Sequence, residues 1–270
     1  MTTLMAIEIL GPEEAERMRR AGRSAAATLQ TVVGQIRDHF RSASSLCTTT
    51  VNRWVLEDTA RRQATSAVLG YRGFPGALCI SPNEVVCHGM ASPSLAIHRG
   101  DIVNLDVTSC LVGYHGDTSF TLVIGPVNAA ARRVVDVSRR CLEAGIAEVR
   151  EGARLGDIGA AIEACARAHE CNVVEEYGGH GIGKAMHQAP HVSHRGVRGR
   201  GLRLRAGMAI TIEPMITLGK PKLLTDRDGW TVRTADGSPS AQFEHTILVQ
   251  TNGCEILTDS TLWHEFERGV

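Results

Sequence analysis

No charge of either sign predominates: 29 lysines and arginines face 29 aspartates and glutamates over 270 residues. Dedicated nucleic-acid binders carry a clear basic excess, so that class fits poorly. No apolar run approaches the roughly 20 residues that span a bilayer. The opening stretch, MTTLMAIEILGPEEAERM, lacks the basic and apolar regions of a secretory signal, which points to the cytoplasm. The eight cysteines form no C-x-x-C pair, and no disulfide framework is expected in a reducing compartment. Most lie in apolar stretches such as GALCI and VTSCLV, where cysteine behaves as a small hydrophobe. No Pro-, Ser- or Gly-rich linker divides the chain. What remains is the balance of an ordinary globular protein, 43% hydrophobic and 21% charged.

Local pattern predicts two helices and then strands, stated twice. Pro12 with Glu13 and Glu14 suits a helix start, and Met18, Ala25, Leu29, Val32, Ile36 and Phe40 recur on one face. A second helix is expected over about Thr50 to Leu69, closed by Gly70. The runs ALCIS, DIVNLDVTSCLV and TSFTLVIG read as strands, the last two joined as a hairpin with Gly113 and Gly116 in the turn. Asn128 caps a third helix expected to stop at Gly152, and Asp157 opens a shorter one through about Glu170. Strand-like AGMAITIEPMITL, GWTVRT and QFEHTILVQ follow. The expected fold class is α+β, an antiparallel sheet core flanked by helices, in two pseudo-symmetric halves. Residues 1–11 read as an N-terminal extension and residues 12–270 as one catalytic domain.

The segment HRGVRGRGLRLR carries Arg195, Arg198, Arg200, Arg203 and Arg205 without an acid, and its glycines make it a loop. Such a run is usually a solvated surface. The alternative is a patch for anionic partners such as ribosomal RNA.

Four acids stand in core-like strand segments. Asp106 and Asp117 flank the hairpin turn, where pairing brings both carboxylates to one face. Glu213 in TIEPM and Glu244 in QFEHT sit in similar apolar or β-branched settings. Any one alone reads as a surface or salt-bridged group, but four like charges in a sheet core call for a cation. His180, in GGHGIG, lies between glycines that let the backbone approach closely, and it becomes a natural nitrogen ligand. Two Asp, two Glu and one His form an oxygen-rich set suited to Mn, Fe(II), Co or Zn, and five side chains suit two ions sharing bridging carboxylates. His88 and His187 are spare imidazoles fit for proton transfer or oxyanion stabilisation. His39, His98, His115, His169, His191, His194, His245 and His264 show no comparable setting and read as structural or surface residues.

The ordered blocks NEVVCHGM, GDIVNLDVT, GYHGDTS, GGHGIGKAMHQAPHV, GMAITIEPM and DGWTVRTADGSPSAQFEHT resemble the signatures of type I methionine aminopeptidases, from about Pro12 to Thr258. HGIG or IEP alone would be weak, whereas the ordered set is specific. The resemblance implies the pita-bread fold and removal of the N-terminal methionine of nascent chains, with a small uncharged second residue preferred; a monomer is the default expectation, since no apolar interface stripe is evident. It implies two divalent ions held by Asp106, Asp117, His180, Glu213 and Glu244. Asp117 and Glu244 would bridge, His180 and Glu213 would complete one ion, and Asp106 would chelate the other. It further implies a metal-bridging hydroxide as nucleophile, with Glu213, His88 and His187 in catalytic roles and both histidines contacting substrate. Tyr71, Phe74, Cys79, Met186 and Trp230 would line a methionine pocket, and Thr108 would support a carboxylate or water from behind.

Departures from the family pattern fall near that pocket. Arg72 stands where bacterial relatives usually have His, Val68 where Cys is frequent, and Met186 where an aromatic is frequent. Arg72 either repels cationic second residues at the cleft mouth or keeps its head in solvent, and solvent is the usual habit of Arg. The nearest rivals are an aminopeptidase P or prolidase, which typically carry a sizeable additional N-terminal domain. A rival of another class is a catalytically weak pita-bread protein that binds ribosome or RNA, with the Arg195 to Arg205 loop as its contact. Such proteins lose metal ligands, whereas this chain keeps all five.

Overall fold

A computed structural model describes residues 7–264, with the His264 side chain outside that description. The helices are α1 (Pro12–His39), α2 (Thr48–Arg61), α3 (Ala129–Ile146) and α4 (Leu155–Ala168), followed by a short turn of helix at Thr261–His264. α1 begins at Pro12 as expected, and its first turn is closed by the Glu14 carboxylate accepting the Gly11 N–H at 3.0 Å. Its apolar face, including Met18, Leu29, Val32 and Ile36, is buried. α2 stops earlier than the sequence suggests. It ends at Arg61, and Gln63 takes a positive φ of 60° before a short strand at Thr65–Ser66. Asn128 caps α3 as predicted, accepting the Ala131 N–H at 2.8 Å, but α3 ends at Ile146 rather than Gly152. Asp157 serves the start of α4 from its third residue, accepting the Arg154 N–H at 2.7 Å.

The first half contributes the hairpin Ile102–Leu111 and Tyr114–Val123, flanked by the strands Thr65–Ser66 and Cys79–Pro82. Its turn is tighter than expected, with Val112 and Gly113 both at positive φ (49° and 79°) in a two-residue loop. Gly116 is therefore not a turn residue. It pairs with Ser109, and a Cβ there would come within 2.5 Å of the Ala21 carbonyl oxygen, so α1 lies directly on the strand. The second half contributes a five-stranded antiparallel sheet, ordered 188–192, 179–181, 209–212, 245–250 and 253–256. One apolar core draws on both halves, from Leu29, Val32, Val103 and Leu105 to Ile210, Ile247 and Leu262.

The halves are tied together where the hairpin meets the second sheet. Ser119 forms a bridge with Glu244, and the Thr118 hydroxyl donates to the Glu244 carbonyl at 3.0 Å. Thr246 Oγ1 accepts the Asp117 N–H at 3.0 Å and donates to the Asp117 carbonyl at 2.8 Å. These bonds fix Asp117 and Glu244 relative to one another before their side chains are considered. Within the N-terminal extension, Leu10 is buried and its N–H bonds the Gly207 carbonyl at 2.8 Å.

Of the Arg-rich loop, Arg195 pairs with Glu163 at 2.9 Å and with Glu175, and Arg198 pairs with Glu148 at 2.9 Å. Arg203 donates to the Gly152 carbonyl at 3.3 Å. Acids distant in sequence thus compensate part of a charge run that carries no acid of its own. Among the described residues, no helix is long and apolar enough to cross a membrane.

Candidate active site

A cavity of about 410 Å³ lies where the hairpin faces the second sheet. Asp106, Asp117, His180, Glu213 and Glu244 all line it. Asp117 stands opposite Thr108 and Asp106 opposite Ser119, so the two aspartates are diagonal neighbours on one face of the hairpin. His180 is carried by the narrow strand Gly179–Gly181, where a Cβ at either glycine would come within 2.2 Å of a neighbouring carbonyl oxygen. This is the close approach that the flanking glycines predict. Glu213 follows the strand Ala209–Ile212, and Glu244 precedes His245–Gln250.

The five side chains converge. Ligand atoms of Asp117, His180 and Glu244 all lie within 4.8 Å of one another. His180 Nε2 is 3.8 Å from Asp117 Oδ2 and 3.6 Å from Glu213 Oε1. Asp106 interacts electrostatically with Asp117, its diagonal neighbour on the hairpin. Desolvation, followed by the field of Asp117, drives Asp106, Glu213 and Glu244 well above the ordinary carboxylate range. Desolvation also raises Asp117 to about 6, against the hydrogen bond from Thr108 that lowers it. Crowded carboxylates that resist ionisation together mark a place for a cation.

His180 carries the same message from its other side. Its Nδ1 is 3.1 Å from the Gly181 carbonyl, which can only accept, so Nδ1 bears the proton. Nε2 then points a lone pair at two carboxylates, an arrangement that repels unless a cation lies between. Burial, with a smaller push from His187, lowers the His180 pKa to about 3 and favours the neutral, ligating form. The residues present therefore fit divalent ions held by oxygen donors and one imidazole.

Supporting bonds surround the cluster. Thr108 donates to Asp117 Oδ1 at 2.7 Å, in line with the expectation for that residue. Thr211 Oγ1 accepts the His180 N–H at 3.0 Å and donates to Glu213 Oε1 at 2.8 Å. Gln242 Nε2 donates to Glu213 Oε2 at 3.2 Å. His194 Nε2 accepts the Glu213 N–H at 3.1 Å from a fully buried position, so a histidine read as structural or surface lies beside the cluster. His191, read the same way, lines the cavity. Thr211, Gln242, His191 and His194 escape sequence reasoning because strand pairing, not spacing, brings them in.

The remaining predicted residues line the same cavity: His88, His187, Tyr71, Phe74, Cys79, Met186 and Trp230. Phe74 and Trp230 meet edge to face at 5.2 Å. His88 lies 6.2 Å from Trp230 and 5.3 Å from Tyr177, a residue that the sequence does not single out. His187 stacks obliquely on His180 at 4.3 Å, and its Nδ1 is 3.2 Å from the Tyr71 hydroxyl. His88 holds a positive φ of 55°, a conformation a non-glycine residue keeps only where its surroundings impose it. Desolvation, then His187, lowers its pKa to about 4, so its imidazole is neutral near pH 7.

Residues 16–251 match metallopeptidase family M24. The chain belongs to that family. Among M24 relatives, it is 46% identical over 252 residues to methionine aminopeptidase B of Synechocystis sp., covering 93% of this chain and 91% of that protein. It is 43% identical to the methionine aminopeptidase of Escherichia coli K12, covering 94% of both. The crystal structure of methionine aminopeptidase from Rickettsia prowazekii superposes with a TM-score of 0.89 at 42% identity, covering 94% of this chain and 100% of that one. The M24 architecture here is the expected pita-bread fold.

Proposed function

We propose that this M24 protein is a metal-dependent aminopeptidase that removes the N-terminal methionine from peptides and nascent proteins. The observation that carries this is the convergence of four carboxylates and a neutral His180 on one cavity whose far wall is apolar and aromatic. Asp106, Asp117, His180, Glu213 and Glu244 would hold two divalent ions of the Mn, Fe, Co or Zn type. Such ions, when bound, supply Lewis acidity towards the scissile carbonyl and make water acidic enough to react near neutral pH.

The chain's own residues do the rest. Phe74, Trp230, Met186, Cys79 and Tyr71 form the apolar surface for the methionine side chain and keep water from it. His187, held through Nδ1 by Tyr71, orients the carbonyl, and His88 approaches from the Trp230 side as a neutral hydrogen-bonding partner. Glu213, oriented by Thr211 and Gln242, takes a proton from the attacking water and passes it to the leaving amine. A free α-amine at the carboxylate cluster limits cleavage to the first residue, and a small uncharged second residue is preferred.

Free thiols at all eight cysteines support a reducing, cytoplasmic location. The protein acts as a monomer through one catalytic domain, residues 12–270. Docking to a ribosome through the loop 195–205 is a separate matter on which catalysis does not depend, and acids already compensate Arg195 and Arg198. An intact ligand set favours the enzyme over a metal-free binding protein. Metal-stripped protein given Mn(II), Co(II), Fe(II) or Zn(II) is expected to release methionine from Met-Ala-Ser but not from N-acetyl-Met-Ala-Ser. Absence of release from folded protein with every ion would refute the aminopeptidase assignment.

A further inference from the structure

The cavity wall carries one side chain of permanent positive charge, Arg72, and among the described residues no ion pair includes it. Its position is set by a tight turn. The Phe74 carbonyl accepts the Gly70 N–H at 2.8 Å, and the Tyr71 carbonyl accepts the Phe74 N–H at 2.9 Å. Within that turn Arg72 takes a left-handed conformation, φ 47° and ψ 28°, which a non-glycine side chain adopts at some cost. The turn presents Tyr71 and Phe74 to the cavity and leaves Arg72 exposed at its rim. The guanidinium lies 5.4 Å from the Tyr71 ring centroid, and Tyr71 in turn contacts His187. The charge is felt at His187, whose pKa is lowered first by desolvation and then by Arg72. Glu176 and His191 also line the cavity, and Arg72 is ion-paired with neither.

We propose that Arg72 is a specificity-determining residue that favours peptides with an acidic side chain directly after the small second residue. This rests on the aminopeptidase assignment. His187 and Tyr71 mark the reacting end of the substrate, and Arg72 follows Tyr71 at the rim. An extended peptide advances about 3.5 Å per residue, so its third residue passes this rim after the small second residue has cleared the pocket. A carboxylate there gains an unpaired guanidinium, whereas an ammonium meets a like charge.

The test is kcat/KM for Met-Ala-Asp-Ser, Met-Ala-Asn-Ser and Met-Ala-Lys-Ser with Mn(II), for the native protein, Arg72→Gln and Arg72→Lys, at low and high salt. The native protein and Arg72→Lys are expected to prefer Asp over Asn, and Asn over Lys, by about two- to fivefold each, the size of an exposed charge interaction. Arg72→Gln and high salt should flatten both ratios. Equal rates for the three peptides in the native protein, or an unchanged order in Arg72→Gln, would overturn the role of Arg72 while leaving the aminopeptidase intact. Release from none of the three would instead remove the aminopeptidase assignment and this proposal with it.

Discussion

Two acids in the cavity, Asp117 and Glu213, are held by hydrogen bonds from Thr108, Thr211 and Gln242, and removing such a donor should be felt by a bound metal. Thr108 is the clearest case, since its hydroxyl is buried and donates to Asp117 Oδ1 at 2.7 Å. Thr108→Val keeps the β-branched shape and deletes that bond. Metal affinity is expected to fall about 10- to 100-fold, the usual effect of removing a partner behind a ligand, with the fold retained. Isothermal titration with Mn(II) reads this directly, and an unchanged affinity would show that Thr108 does not orient Asp117. At this scale the sequence is informative for the acids, because charged residues inside β-branched stretches are conspicuous. His194 is invisible in it, since a histidine that accepts one backbone N–H from a buried position leaves no pattern in the chain.

Elements position these residues, and the hairpin does most of the placing. Its register puts Asp117 opposite Thr108, and its outer strand receives α1 so closely that only glycine fits at 116. Gly116→Ala would drive a methyl into the backbone at Ala21 and Gly22. The expected loss is about 1–3 kcal/mol, the usual cost of overpacking, measured as a lower urea midpoint. A midpoint equal to that of the native protein would mean that α1 does not lie rigidly on this strand. Helix starts are legible in the sequence because Glu14, Asn128 and Asp157 act through local bonds and Pro12 suits the first helical position. Helix ends are less so. α2 stops at Arg61, short of Gly70, because Gln63 takes the left-handed conformation of a C-terminal cap and the Ala64 N–H bonds the Thr59 carbonyl, while α3 stops at Ile146, short of Gly152. The hairpin turn falls in the expected region, but the small size of Gly116 serves helix packing instead of the turn.

On the scale of the whole molecule, the site exists only because the two halves meet. Asp106 and Asp117 come from the first half, and His180, Glu213 and Glu244 from the second. The Ser119–Glu244 bridge and the Thr246–Asp117 bonds form that seam. The repeated helix and strand pattern foreshadows two halves, but a bond between residues 129 apart in the chain is decided by three-dimensional packing. On the proposed function, methionine release would require metal held at this seam. The most direct test is equilibrium dialysis of metal-stripped protein against Co(II), with methionine release from Met-Ala-Ser followed on the same samples. The predicted result is about two ions per chain at saturation, release that rises with occupancy, and loss of both in Glu244→Gln. Full release by metal-free protein, or a Glu244→Gln variant that binds Co(II) and turns over like the native chain, would contradict it.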